Sequence, residues 1–194
     1  YYVIAFSVYW LYRSLTLATL AVVANYRIKK SSQLDWLAEV KKKSGWDNIH
    51  HIIIIPTYKE PIETLRRSLT YLSQQTFPLD HLHIMMSFEE REGPAANEKA
   101  EQLKKEFKGT FGDLWSTLHP DIKGEVKGKS SNTSWGAKQA KKLLVDEKKM
   151  PIEYITITSE DADAIFHKSY FACLTHKFIS CLLYTSPSPR DRQK

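Results

Sequence analysis

At 194 residues, 42% hydrophobic and 26% charged, the chain is long enough to bury one sizeable α/β core and too apolar for a disordered segment. Its two cysteines, Cys173 and Cys181, supply neither a disulfide framework nor metal-ligand spacing, and fit a reducing compartment. The formal net charge of +6 raises nucleic acid as a partner. The basic residues are however spread through amphipathic segments and beside an apolar one, with no aromatic-basic stripe, which argues for no nucleic acid.

Residues 1–25 are apolar apart from Arg13 and small polar groups. A helix of that length spans roughly 37 Å, enough for the ~30 Å core of a bilayer. Arg13 would cost roughly 2.5–3.5 kcal/mol near mid-membrane unless it faces another helix or snorkels. Tyr1, Tyr2, Tyr9, Trp10 and Tyr12 are aromatics of the interfacial kind, which favours an interface near Arg13 or a hydrophobic hairpin over one clean span. The segment is expected to be a membrane anchor; the alternative is a buried or amphipathic helix of a soluble protein. Arg27, Lys29, Lys30, Lys41, Lys42 and Lys43 follow it, and positive flanks of this kind stay cytoplasmic. Residues 26–49 are expected to be a basic linker, with a short surface helix within 31–49.

From residue 50 the pattern alternates between strands and helices. Residues 50–56, 81–88, about 113–118 and 152–158 are predicted strands, and 61–75, 94–108, 132–147 and 167–178 are predicted helices. That rhythm implies an α/β fold with a mainly parallel sheet and helices on both faces. The run His51-Ile52-Ile53-Ile54-Ile55-Pro56 is apolar without alternation, the pattern of a parallel strand buried on both faces, and Pro56 ends it. Internal repeats are absent.

Two motifs carry chemistry. In Thr156-Ile157-Thr158-Ser159-Glu160-Asp161-Ala162-Asp163, an apolar strand runs into two carboxylates one residue apart. Alternate side chains of extended chain point the same way, so Asp161 and Asp163 can converge on one hard cation at the strand's C-terminal end. Open α/β sheets bind their ligands at that end. The second motif is the turn after the first strand, Pro56-Thr57-Tyr58-Lys59-Glu60-Pro61, where a nucleotide could sit; the alternative is an ordinary loop surface.

With Met85-Met86-Ser87-Phe88-Glu89-Glu90-Arg91, Leu118-His119-Pro120, Gly128-Lys129-Ser130-Ser131-Asn132 and Tyr170-Phe171, these motifs stand in an order that resembles the donor half of glycosyltransferase family 2. The likeness is to the membrane-associated bacterial members, of the Rossmann-like GT-A fold, and covers roughly residues 50–179. It implies a hexosyltransferase-type enzyme that moves a sugar from a nucleotide-sugar donor, UDP first, to a polysaccharide or lipid-linked acceptor with inversion. It implies that Pro56, Thr57, Tyr58 and Glu60 line the nucleotide pocket, that Glu89 or Glu90 faces the base or ribose, and that Lys129 and Asn132 lie near the diphosphate. Asp161 would contact the nucleotide and, with Asp163, hold Mg²⁺ or Mn²⁺. The implied location is the bacterial inner (plasma) membrane, with the catalytic domain cytoplasmic.

The chain departs from that family after Asp163. Neither the later acidic residue that deprotonates the acceptor nor the Gln-x-x-Arg-Trp segment of processive members is present, so the catalytic base is unknown and the acceptor half is expected to be missing. From residue 180 the composition shifts to Ser, Pro and Arg and resembles translated sequencing adapter. Residues 180–194 are therefore expected to be a non-native tail, and a start at Tyr1 fits an internal fragment. A membrane-anchored module that binds a nucleotide or a partner without catalysis is the alternative. Gly124-Glu125-Val126-Lys127-Gly128-Lys129-Ser130 has three residues between its glycines where a P-loop needs four, which excludes a kinase or ATPase reading. The seven histidines lack Cys/His metal spacing, and Phe166, Tyr170, Phe171 and Phe178 are spaced for core packing.

Overall fold

The computed structural model describes residues 1–182. It comprises two units, Tyr1–Asp35 and a second that begins at Trp36. The first is one helix, α1 (Tyr2–Ser32), of 31 residues with none buried. At about 1.5 Å per residue it is about 46 Å long. It passes through Arg13 without a break, so it is a single rod rather than a hairpin. It also runs beyond the expected end at residue 25, because Asn25 to Ser32 contain neither Gly nor Pro. Thr16 and Thr19 donate their hydroxyls to the carbonyls of Tyr12 and Leu15 at 2.8 and 2.9 Å, which hides two polar groups within the helix. With a mean hydropathy of 1.3 over its most apolar stretch, α1 is long and apolar enough to cross a membrane.

The second unit is built on a four-stranded parallel sheet: β1 (His50–Thr57), β2 (Leu82–Glu89), β3 (Asp113–His119) and β4 (Ile155–Ser159), in the order β3-β2-β1-β4. The α/β expectation is met, and each strand lies within a few residues of its predicted range. Strand β1 is central, and its isoleucines alternate between two apolar layers. Ile53 and Ile55 pack with Leu65 and Leu69 of α3 (Ile62–Leu72), Ala100 and Leu103 of α4 (Pro94–Glu106), and Phe171 of the C-terminal helix. Ile52 and Ile54 pack on the other face with Met85, Ala140 and Leu144. Ala140 belongs to α5 (Lys129–Lys141), which continues as a π-helical turn over Lys142–Glu147. Helix α5 comes close to the sheet because residue 136 is glycine. A Cβ there would lie 3.0 Å from Ile54 Cγ2 and 3.1 Å from Ser87.

Two segments differ from expectation. The surface helix expected within 31–49 is α2 (Trp36–Lys41), and it buries Trp36 and Val40, so it is part of the domain. The last helix, α6 (Tyr170–Leu182), carries Ser180 and Cys181 in its final turn, so the regular chain runs past 179. Residues 183–194, the rest of the expected tail, lie outside the described residues.

The N-terminal ends of the strands carry a histidine network. Lys148 Nζ and His83 Nδ1 both bond the Asp113 carboxylate at 2.6 Å, and His83 Nε2 and His50 Nδ1 are 2.9 Å apart. A carboxylate only accepts, so His83 carries its proton on Nδ1 and its Nε2 accepts from His50 Nδ1–H. His81 stacks on His50 at 4.4 Å between ring centroids. The buried His51 bridges Thr156 Oγ1 (2.5 Å) and Thr175 Oγ1 (2.7 Å); Thr175 already donates to Phe171 O, so it accepts from His51 Nε2–H. Burial is the main cause that lowers His50 to about 4 and His51 to about 3, and it lowers His83 too.

His50 and His51 are neutral in the fold near pH 5–6 and take up protons when the chain unfolds. A depressed folded pKa means that their stability contribution is present above about 6.5 and is lost as pH falls toward 4. Compared with the wild type at each pH, His50→Asn should therefore gain several degrees of melting temperature as pH falls from 7.5 to 5, in melts of the full chain in detergent. A difference between the two proteins that is independent of pH would contradict the assignment.

Candidate functional site

A parallel sheet brings the C-terminal ends of β1, β2 and β4 to one edge, and a cleft of about 330 Å³ lies there. Its walls include Pro56, Thr57, Tyr58 and Glu60 after β1, Glu89 at the end of β2, Lys129 and Asn132 at the start of α5, and Asp161 and Asp163 after β4. Nine of the ten residues singled out in the sequence thus line one cavity. Glu90 does not: its Oε2 accepts from the backbone N–H of Asp121 at 3.3 Å. Arg91, Gly128 and Ala162 complete the walls.

The wall made by β1 and β2 is a charged stack. Glu89 is 6% exposed, and Arg91 Nε donates to its Oε2 at 2.7 Å. The same guanidinium lies 4.5 Å over the Tyr58 ring. Cation–π contact and ion pair together fix the tyrosine against this wall. Beside it, the Thr57 hydroxyl is buried and has no hydrogen-bond partner among the described residues. An unpartnered buried hydroxyl at a cavity wall is a donor and acceptor left for a ligand.

The opposite wall begins at Gly128, whose φ of 153° and ψ of −176° lie in a region that only glycine adopts readily. That geometry starts α5, whose first residue, Lys129, lines the cleft, and the dipole at a helix N-terminus favours an anion. Lys129, the first helical residue, makes an ion pair with Asp161. Asn132 is 1% exposed and its amide is committed to the sheet. Its Nδ2 donates to Ser87 O at 2.8 Å and to Thr57 O at 3.4 Å, while Ser87 Oγ donates to its Oδ1 at 2.6 Å. Asn132 therefore locks the start of α5 onto β1 and β2.

The acidic turn is held from beneath by α3. Buried Ser68 donates its hydroxyl to Ala162 O at 2.6 Å, with Ala164 O at 3.3 Å, and Ala164 N closes the turn onto Asp161 O at 2.9 Å. Asp163 is exposed and has no side-chain hydrogen bond or ion pair among the described residues. Those residues contain no cluster of three or more His, Cys, Asp or Glu groups placed to hold a metal alone. Asp161 and Asp163 lie in a turn and not in the extended chain expected of them, so strand alternation does not aim them together; both still line the cleft, and Mg²⁺ or Mn²⁺ take one or two carboxylates and complete their shell with phosphate oxygens and water.

Sequence reasoning passed over Ser68, Arg91 and Glu160. Glu160 is 2% exposed, neither of its carboxylate oxygens has a partner among the described residues, and burial pushes its pKa up to about 8, with Asp161 adding to the shift. The signal was available in its place directly after a strand of apolar and hydroxyl residues, and in the fold its backbone N–H donates to Ile54 O of β1 at 2.9 Å.

No family model and no curated protein matches the chain. Among solved structures, one that is similar is a mannosyltransferase from Pyrobaculum calidifontis in complex with GDP-Man and Mn²⁺, with 18% sequence identity and a TM-score of 0.45. The match covers 79% of this chain and 42% of that one, so the chain spans less than half its length.

Because the folded pKa of Glu160 lies above the unfolded value of 4.5, the fold binds its proton more tightly and loses stability as pH rises from about 4.5 to about 8. Glu160→Gln resembles the protonated acid and should change the melting temperature little at pH 5 and raise it by about 5 °C or more at pH 9. An equal effect at both pH values would contradict a buried proton on this residue.

Proposed function

We propose that the cleft binds the nucleoside diphosphate of a sugar donor, and that the chain is the donor-binding half of a membrane-associated, inverting glycosyltransferase of family 2 with a GT-A fold. The observation that carries this reading is convergence. Four segments far apart in sequence meet in one cleft, and they bring an aromatic–arginine wall, a helix N-terminus with a lysine, and a pair of carboxylates. That set matches the three parts of a nucleotide sugar's head: a flat base, a diphosphate and its counter-cation.

In this assignment Tyr58 and Glu89 face the base and ribose, and Thr57 fills its open hydrogen bond on the nucleotide. Lys129 and the first turn of α5 face the diphosphate. Asp163 with Asp161 would hold Mg²⁺ or Mn²⁺, which supplies positive charge to the leaving diphosphate. In the transfer, an acceptor hydroxyl oxygen bonds to the anomeric carbon as the bond to the diphosphate breaks, and a base takes the hydroxyl proton. This reading assigns neither the base nor the acceptor site, for a polysaccharide or a lipid carrier, to a residue of the chain. Helix α1 would anchor the domain to the inner (plasma) membrane of a bacterium, with the cleft in the cytoplasm. A 31-residue helix with no buried residue and exposed Ile4, Phe6, Leu11, Leu15 and Leu20 supports the membrane association.

Calorimetry on the detergent-solubilised chain with UDP, GDP and dTDP, with and without Mn²⁺, tests the site. UDP should bind best with Mn²⁺, and Asp163→Ala should lose at least about tenfold in affinity with Mn²⁺, about 1.4 kcal/mol, while its Mn²⁺-free binding does not weaken. Absence of metal-dependent binding of all three, by folded protein, would overturn the donor assignment and leave the non-catalytic module.

The anchor has its own test. After expression in bacterial cells the chain should stay in the membrane pellet through a carbonate wash. Recovery in the soluble fraction would contradict the membrane role of α1.

A further inference from the structure

The turn that carries Tyr58 and Glu60 into the cleft holds a strained residue. Lys59, between them, has φ of 60°, the left-handed region, where a Cβ crowds its own backbone and glycine is the usual occupant. Strain of this kind persists only where neighbours enforce it, and here the neighbours are identifiable. Glu92, in the short turn after β2, has a side chain only 3% exposed. Its Oε2 accepts from the backbone N–H of Lys59 at 2.9 Å, and its Oε1 accepts from Lys99 Nζ of α4 at 2.7 Å. Lys99 Nζ also donates to the carbonyl of Glu60 at 2.6 Å. One half-buried ion pair thus grips the backbone on both sides of the strained residue.

The two groups spend their charges on a loop rather than on the core. A buried charge pair is a poor source of net stability, but it is a good means of selecting one conformation among several. The conformation selected here sets the directions of Tyr58 and Glu60, two of the cleft's walls.

We propose that Glu92 and Lys99 are positioning residues for nucleotide binding, which hold the Tyr58–Glu60 turn in its left-handed conformation so that the cleft is formed before the ligand arrives. The inference rests on the donor assignment above. It goes beyond it by naming residues that do not line the cleft. When the competent conformation is only partly populated, apparent affinity falls by that fraction.

The test is calorimetry of the full chain with UDP and Mn²⁺ on Glu92→Ala, Glu92→Gln and the double variant Glu92→Ala/Lys59→Gly. Without the clamp, Lys59 should leave the left-handed region, and Glu92→Ala should bind about tenfold more weakly or worse. Glu92→Gln keeps one acceptor for the Lys59 N–H and should bind between the two. The double variant carries a residue at 59 that needs no clamp, and it should recover at least about threefold of the loss. A purely structural role for Glu92 would not be rescued by a change of backbone preference at residue 59. If folded Glu92→Ala binds as the wild type does, or if glycine at 59 recovers nothing, the inference is wrong while the donor assignment stands. If the wild type itself binds no nucleoside diphosphate, both fall.

Discussion

The constraint on which the rest depends is the burial of β1 on both faces. Ile52, Ile53, Ile54 and Ile55 are each at most 1% exposed. Removing four such side chains from water contributes on the order of 10 kcal/mol before chain entropy is counted. That burial requires a partner strand on each side and a helical layer above and below. Parallel pairing with β2 and β4 then sends three strand ends to the same edge. The cleft is a consequence of this packing: its residues sit where the apolar run stops, at Pro56, and where the neighbouring strands stop with it.

The two ends of the sheet treat charge in opposite ways. At the N-terminal end, His83, Asp113 and Lys148 satisfy one another, and His51 has both ring nitrogens bonded. At the C-terminal end several groups remain open: the Thr57 hydroxyl, the exposed Asp163 and the first turn of α5. Closed networks hold a fold together, and open ones leave capacity for a ligand. The same two ends pull stability in opposite directions with pH. The histidines lose their contribution as pH falls, and Glu160 opposes folding as pH rises.

The fold was legible because its signals are local. An unbroken β-branched run, amphipathic spacing at Leu65, Leu69 and Leu72, and a regular alternation of elements follow from period and composition alone. The cleft was legible where side chains at strand ends carry its chemistry, as at Tyr58, Glu89 and Asp161. It was illegible where position matters more than residue type. Asn132 reads in sequence as a ligand group, and in the fold its amide is consumed by Ser87 and Thr57. Ser68 reads as one polar residue on an amphipathic helix, yet it holds the acidic turn 94 positions away. Glu90 and Glu92 are equivalent in sequence; the path of the chain after β2 sends one to a surface loop and the other beneath the Lys59 turn. The end of the first helix was illegible for a different reason: a basic run changes polarity without breaking a helix, so α1 continues through Lys29 and Lys30.

Lys129 joins these observations into one electrostatic argument. Its ammonium pairs with Asp161 at a helix N-terminus that itself favours negative charge, and Arg91 pairs with Glu89 on the other wall, which leaves Glu60 and Asp163 as the cleft's carboxylates without an ion pair among the described residues. A diphosphate alone would meet repulsion from Asp161 and Asp163, and a divalent cation alone would meet Lys129. On the donor assignment proposed above, each would satisfy what the other leaves: the cation would take the carboxylates, and the diphosphate Lys129 and the start of α5. Such a charge order would favour a metal–diphosphate unit over either component, with Coulomb energies at this half-exposed edge nearer those of a medium of ε ≈ 20 than of a dry interior.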